Sequence, residues 1–537
     1  MNAENGRQKP EKWPGTLWFV NKDNCCIFLN RLIIFTFKVK RLIILVDKLK
    51  KHPFFVILIP VFFVLHGFLY YFGFIGLKEA ALLAFIYCIG SAVLYFALWL
   101  LFRRKGAKAA LVAAYLLMSF FFFGAVKDFL FRHFPLISRY SFLLSAMILT
   151  LLLVVWMVNK TSTPGRVVFL LNLLFSLYII IDVVILAGYY VHPPANKFSV
   201  TTGNGAVYKP VAGTSRPDIY FLIFDEYASS LSLKEIYGYS NDIDSYLGEK
   251  GFRVLPGSFA NYNYTPASIA SILNMSFING LRDSTVLTAK DMNYCFGLIK
   301  NNEVNKFLIG LGYEIVNCSH FNLLTSPVTV DDPILPVKTG LITDNTLSSK
   351  IKRDIFGDIN WNPFQKLMPG RKVNLDQSNQ HLLTMIREQS RKKKSHPVFV
   401  FGHLYMPHDP YLYDKNNRIR DLSSIHKDYL HPSLSYLEYL THVNLEMKNL
   451  LDTIRYNTGN KAVVIVMGDH GFRGSYIKQN LHHNYQNLNA VYFPGKDYHL
   501  FYDSISGVNQ FKIVFNTLFN QSIPLLKDST IFLSDKE

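Results

Sequence analysis

Between Phe54 and Val191 the sequence is almost continuously apolar, and no other feature restricts the possible folds as strongly. Five stretches stand out: Phe54–Leu77, Ala80–Phe102, Ala109–Phe131, Tyr140–Val158 and Val167–Val191. Each is long enough, at roughly 17–25 apolar residues, to cross the hydrocarbon of a bilayer as a helix. Helix is the expected form because lipid offers no partner to an open backbone N–H or C=O. Cys25–Val46 is also apolar, but Arg31, Lys38, Lys40 and Arg41 interrupt it. That pattern suits a basic helix lying in the membrane interface. The first twenty residues are polar, and the apolar stretches are too long and too numerous for a cleaved leader, so no signal peptide is expected.

The loops set an orientation. Lys48, Lys50 and Lys51 precede the first span, Arg103, Arg104, Lys105 and Lys108 follow the second, and Lys160 and Arg166 follow the fourth. The intervening loops carry Lys78 and then Lys127, Arg132 and Arg139. The balance places the N-terminus in the cytoplasm and, after an odd number of spans, everything beyond Val191 outside. A multi-pass protein of the inner or plasma membrane with an extracytoplasmic domain is the expectation. The net charge of +18 suits an anionic membrane surface or phosphate-bearing lipid, and an outward domain excludes nucleic acid as a partner. The expected layout is a basic cytoplasmic segment over 1–53, a transmembrane domain over 54–191, a Pro- and Gly-rich linker over 192–216, and a large domain over 217–537.

Beyond the linker, strand-like runs alternate with helical ones: Ile219–Phe224, Ile243–Glu249, Arg253–Leu255, a helix after Thr265, Glu303–Leu311, Glu314–Asn317, Gln380–Gln389, Val398–Phe401, Tyr436–Tyr456 and Ala462–Met467. This is the rhythm of an α/β fold, a mostly parallel sheet with helices on both faces. Residues 320–375 are irregular and rich in Pro, Asp and Asn, and are expected to cover the edge where the strands end. Of Cys25, Cys26, Cys88, Cys295 and Cys318 only the last two lie in this domain, which permits one disulfide at most and no framework. Neither a Cys-x-x-Cys zinc pattern nor a Gly-rich phosphate loop is present.

Four segments carry the chemistry. Val463–Met467 is a buried-strand run that ends at Gly468, with Asp469 and His470 side by side immediately after it. In an open α/β sheet ligands bind at this carboxyl edge, and carboxylate with imidazole suits zinc or manganese. Ile219–Phe224 is a second apolar strand ending in acids, Asp225 and Glu226, although Asp225 also reads as a helix cap. Asn263–Ser268 places Thr265 at a helix start, where the dipole favours an anionic oxygen. Thr265 before Pro266 equally reads as an ordinary N-cap. Phe401–Tyr411 follows a further strand and holds His403 and His408 in a Pro-broken loop.

In this order the segments resemble the alkaline phosphatase superfamily, and more closely the sulfatase-like membrane enzymes that include phosphoethanolamine transferases and lipoteichoic acid synthases. The resemblance covers roughly residues 215–500 and the membrane layout, and implies an α/β/α sandwich for the outer domain. It also implies that Asp225, Thr265, Asp469 and His470 hold a divalent metal, with Glu226 an alternative or additional ligand, and that Thr265 is the nucleophile. His403 and His408, at a His-x4-His spacing, are implied to contact the transferred group, as is a later histidine, His482 or His483. There are departures from the family. The stretch around Thr265 has no Cys-x-Pro-Ser-Arg, so a formylglycine sulfatase is not expected. Phe224-Asp225-Glu226 stands where close relatives have Gly-Glu.

A Thr hydroxyl is a poor nucleophile at neutral pH and needs a metal or an adjacent base. Phosphoryl transfer asks chiefly for positioning and charge neutralisation. The expected activity is metal-dependent transfer of a phosphoethanolamine- or phosphoglycerol-type group from a membrane phospholipid to a lipid or glycan acceptor of the cell envelope. It would proceed through a phospho-threonine. A phosphoester or sulfate-ester hydrolase and a catalytically silent membrane scaffold are the alternatives.

Overall fold

The computed structural model describes residues 47–194, 197–201, 215–328, 339–354, 375–420, 432–474 and 481–534. Cys25–Val46 and most of the 192–216 linker lie outside them. The described residues form two compact units, one running to Gly188 with Asn345–Lys350, the other taking the rest.

The first unit holds helices α1 (Phe55–Tyr70), α2 (Leu77–Leu101), α3 (Gly106–Phe121), α4 (Phe123–His133), α5 (Tyr140–Lys160) and α6 (Pro164–Val191). All five expected spans are helical, but two differ in form. α1 has only 16 residues, about 24 Å at 1.5 Å per residue, and is shorter than a usual span. It stops before Gly73, which takes a left-handed φ of 88°. The third expected span is broken between α3 and α4 with a bend of 55°. Among the described residues, three helices are long and apolar enough to cross a membrane, and four if the bent pair counts as one span. Two buried polar side chains of α6 meet partners at or before α1. Asn172 of α6 donates to the carbonyls of Leu49 and His52, both at 2.7 Å, and accepts from the Phe55 N–H at 2.7 Å, tying the start of α1 to α6. Asp182 of α6 lies 3.3 Å from His66 of α1.

The second unit is built on a six-stranded sheet. Its strands are β1 (Ile219–Phe224), β2 (Arg253–Val254), β3 (Glu314–Cys318), β4 (Val398–Leu404), β5 (Val463–Gly468) and β6 (Asn489–Tyr492), in the order β2-β6-β5-β1-β4-β3. β3, β4, β1 and β5 are parallel, while β6 and β2 extend the sheet antiparallel beyond β5. Every residue of β1, β4 and β5 is buried, which is why these strands read as unbroken apolar runs.

Alternate residues still part to opposite faces. Phe221, Ile223, Phe401 and Ile465 meet α7 (Thr265–Asn274) and α10 (Gly507–Phe519). Tyr220, Leu222, Val400 and Val464 meet α8 (Leu375–Arg391) and α9 (Pro432–Asn457). The expected α/β/α layering is thus present. Cys295 and Cys318 are both free, buried on opposite faces of the sheet, so the permitted disulfide is not formed. Parallel register aligns three carboxyl ends: Phe224 of β1 pairs with Leu404 of β4 and with Gly468 of β5. Whatever follows these strands is delivered to one edge.

Candidate active site

Asp225 leaves the end of β1, and Asp469 and His470 leave the end of β5, all fully buried. Thr265 is the first helical residue of α7. The N-cap is Tyr264, which makes no side-chain capping bond, so the Thr265 hydroxyl is not spent on a cap. Instead it donates toward Asp225 Oδ1 at 3.4 Å and lies 3.3 Å from His470 Nε2. His470 Nε2 is 3.5 Å from Asp469 Oδ2 and 3.9 Å from Asp225 Oδ1. Ser268 of α7 donates to the Asp469 carbonyl at 2.6 Å and locks the helix start to the strand end.

Hydrogen bonds around this cluster settle which atoms remain available. The His470 Nδ1–H donates to the Gly471 carbonyl at 2.8 Å, leaving the Nε2 lone pair inward. Asp469 Oδ1 accepts from the Glu226 and His470 N–H groups at 2.9 and 3.0 Å, while its Oδ2 has no hydrogen-bond partner. Asp225 Oδ2 is likewise without one. Burial works to raise the Asp225 carboxyl, but His408 and His403 outweigh it and hold the group well below the usual carboxylate range. Two buried carboxylates, each with an oxygen that has no hydrogen-bond partner, and an imidazole nitrogen within 3.9 Å of both residues have the chemistry of a dication site. Asp225, Asp469 and His470 place one ligand atom each within 4.8 Å of one another. These residues, with the Thr265 hydroxyl beside them, fit zinc or manganese equally.

Glu226 belongs to a different group. Its backbone is left-handed (φ 63°) and its carbonyl accepts from Tyr436 at 2.9 Å. Its Oε1 accepts from the Arg473 N–H at 2.9 Å and lies 3.5 Å from the guanidinium, and Oε2 is 4.0 Å from His408 Nε2. His408 Nδ1 meets Asp409 at 2.8 Å, and Arg473 Nη2 lies 3.3 Å from His408 Nε2. Burial opposes a charge on His408, but Asp225, Glu226 and Asp409 push its pKa up to about 10. An imidazole and a guanidinium therefore stand together beside the candidate dication site, held by Glu226 and Asp409. This is an arrangement for binding anionic oxygens.

His403, within β4, is buried with Nε2 3.4 Å from Asp225 Oδ2. His482 is exposed, and His483 is held by Gln486 at 2.6 Å and Ser232 at 3.1 Å. Backbone crowding explains the glycines of the last motif. A Cβ on Gly468 would run into the Tyr227 carbonyl, and one on Gly471 into that of His483.

Three residues join the site without having been singled out from the sequence. Asp409 and Arg473 lie within or next to motifs already recognised. His320 follows β3 by two residues and packs on His403 with ring centroids 5.9 Å apart. Burial and His403 push its pKa down to about 3, and neither ring nitrogen has a hydrogen-bond partner.

No protein-family model matches the chain, and no curated protein does. Solved structures do match. The C-terminal periplasmic domain of EptC from Escherichia coli is 13% identical, with 64% of this chain and 94% of that one covered and a TM-score of 0.37. The same domain is also known in complex with zinc. The C-terminal periplasmic domain of the phosphoethanolamine transferase EptC from Campylobacter jejuni is 12% identical, covering 60% and 95% of the two chains, with a TM-score of 0.34. A phosphonate monoester hydrolase from Silicibacter pomeroyi is 13% identical, covering 59% and 76%, with a TM-score of 0.35. These neighbours share 12–13% identity with the chain and TM-scores of 0.34–0.37. They include both a transferase and a hydrolase, and at such identity and scores they assign neither activity to this chain.

Proposed function

We propose that the chain is a multi-pass enzyme of the cell membrane. Its outer, extracytoplasmic domain would transfer a phosphoethanolamine- or phosphoglycerol-type group from a membrane phospholipid to a lipid or glycan acceptor. The observation that carries this reading is the Thr265 hydroxyl, freed from capping and turned to Asp225 and His470 at 3.4 and 3.3 Å. A scaffold has no use for an uncapped hydroxyl aimed at a buried carboxylate and a buried imidazole.

A dication held by Asp225, Asp469 and His470 supplies, when bound, a more acidic Thr265 hydroxyl and neutralising charge for a phosphoryl oxygen. Asp225 and His470 orient the Thr265 oxygen, and the N-terminus of α7 favours negative charge upon it. In the first step the Thr265 hydroxyl gives its proton to the Asp225 carboxylate 3.4 Å away, Oγ1 bonds to phosphorus, and the P–O bond to the lipid alcohol breaks. His408 and Arg473 contact the non-bridging oxygens, and His408, which holds a proton, gives it to the departing alkoxide. In the second step the acceptor hydroxyl loses its proton to His408 and its oxygen bonds to phosphorus, while the P–O bond to Thr265 breaks and Thr265 regains its proton from Asp225, restoring the enzyme. Positioning and charge thus carry the reaction.

The test is to incubate the full-length protein with phospholipid labelled in its headgroup, quench it, and weigh the peptide containing Thr265. The expected result is the added mass of the phospho-substituent on Thr265 and none in Thr265→Ala, which is inactive. Thr265→Ser keeps the hydroxyl and retains partial turnover. Full turnover by metal-loaded Thr265→Ala would mean direct attack by water, which makes the protein a hydrolase without a covalent intermediate.

A further inference from the structure

The transmembrane unit carries a feature that the outer site does not use. A cavity of about 490 Å³ opens among α2, α3 and α5. Its walls are apolar: Leu98 and Leu101 from α2, Val112 and Leu116 from α3, Leu151 and Val155 from α5. The remaining lining is of the opposite character. Arg103 and Lys105 come from the α2–α3 turn, and Asn159 from the last turn of α5; all three are exposed. Among the described residues no carboxylate pairs with either cation.

The turn is built to present these groups. Arg103 and Arg104 are consecutive left-handed residues (φ 50° and 64°), a conformation that ordinary side chains avoid. Arg104 is committed elsewhere, with its guanidinium over the Trp99 ring at 5.6 Å. Gly106 lets this turn close, since a Cβ there would come within 3.0 Å of the Tyr95 hydroxyl. Lys108 donates to the Asn159 carbonyl at 2.8 Å and joins α3 to α5 beside the cavity. Arg103 and Lys105 are left to line it.

We propose that this cavity binds one anionic phospholipid, with an acyl chain against the leucine and valine walls and the phosphate against Arg103, Lys105 and the Asn159 amide. The argument is one of matching both halves. A soluble anion would answer the cations but leave the apolar walls empty, and an uncharged lipid would do the reverse. A zwitterionic lipid brings its own ammonium toward two cations that have no acidic neighbour. Only a lipid of net negative charge satisfies both parts, and clustered Lys and Arg at a helix end attract such headgroups. The inference rests on the membrane-spanning reading of these helices and not on the chemistry at Thr265.

The experiment uses full-length protein exchanged from detergent into bilayer discs containing equal phosphatidylglycerol and phosphatidylcholine of identical chains, followed by native mass spectrometry. One phosphatidylglycerol per chain should survive detergent conditions that strip phosphatidylcholine. The double variant Arg103→Gln/Lys105→Gln should lower that retention by about thirtyfold, the effect expected of two surface cations against anionic lipid. Leu151→Trp, which fills the cavity without touching charge, should lower it as well and decides the matter if the charge variant does not fold. Equal retention of both lipids by wild type, or unchanged phosphatidylglycerol in either folded variant, overturns the proposal. Metal content and Thr265 labelling, read on the same samples, should stay at wild-type level in both variants. A failure of the outer-site reading would show in those two readouts of the wild type while lipid retention persists.

Discussion

Asp469→Asn should make the metal-free protein more stable and the metal-loaded protein less so. In the structure Asp469 Oδ1 accepts two backbone N–H bonds, while Oδ2 has no donor and sits 3.5 Å from the inward lone pair of His470 Nε2. Two acceptors face each other there, with the Asp225 carboxylate close by. Asparagine keeps Oδ1 in place and turns an NH2 toward His470, so an unsatisfied acceptor becomes a donor with a partner. Relief of one buried unsatisfied group is worth about 1–3 kcal/mol. At about 2.1 cal/mol/K per residue, a domain of roughly 300 residues shifts by about 1.5 °C per kcal/mol. The chelated variant should therefore melt about 2–4 °C above chelated wild type.

The loaded state reverses the order. An ion at 1,000 times its Kd stabilises by about 4.1 kcal/mol, or about 6 °C on the same scale, and the variant forgoes most of this. Thermal unfolding of full-length protein in detergent, with chelator and then with excess zinc or manganese, reads both arms. A chelated variant that melts below chelated wild type would refute the orphaned-acceptor argument. A variant that gains as much from metal as wild type would refute the ligand assignment.

Three further outcomes are expected. His408→Ala should lower turnover about 10²–10³-fold, the loss typical of one preorganised charge donor, while bound metal measured by elemental analysis stays near stoichiometric; loss of the metal would make His408 a ligand. Gly471→Ala forces a Cβ into the His483 carbonyl, so metal content and thermal stability should fall together even though no ligand is changed; a normal metal content would show that the segment has room to shift. A reporter fused after Glu537 should be active only in its extracytoplasmic form, and activity confined to the cytoplasmic form would reverse the orientation drawn from the Lys and Arg bias.

What was legible in the sequence follows from burial. β1, β4 and β5 are covered on both faces, so each is an apolar run whose end is marked by the polar residues of the site, and Asp225, Asp469 and His470 could be picked out that way. β6 escaped notice because four residues with an asparagine at the start carry too little apolar signal. Thr265 was ambiguous for a physical reason: Thr before Pro at a helix start has the same local pattern whether its hydroxyl caps the helix or leaves it. Only the approach of β1 and β5, distant in sequence, decides between them. His320 follows a short edge strand in a stretch without periodicity, and its place beside His403 is purely tertiary. The early stop of α1 was hidden because the residues after Tyr70 are as apolar as those before it.

The metal cluster draws its atoms from segments far apart in the chain, with Thr265 standing 40 residues from Asp225 and 205 from His470. No fragment that ends before β5 can contain it, and an unfolded chain would have to close very large loops to gather it. An ion held there would be captured only once β5 has paired with β1, so its capture would report that these two strands have met. Because Asp225, Asp469 and His470 suit zinc and manganese alike, the supply of metal where those strands pair would weigh heavily in which ion is taken up.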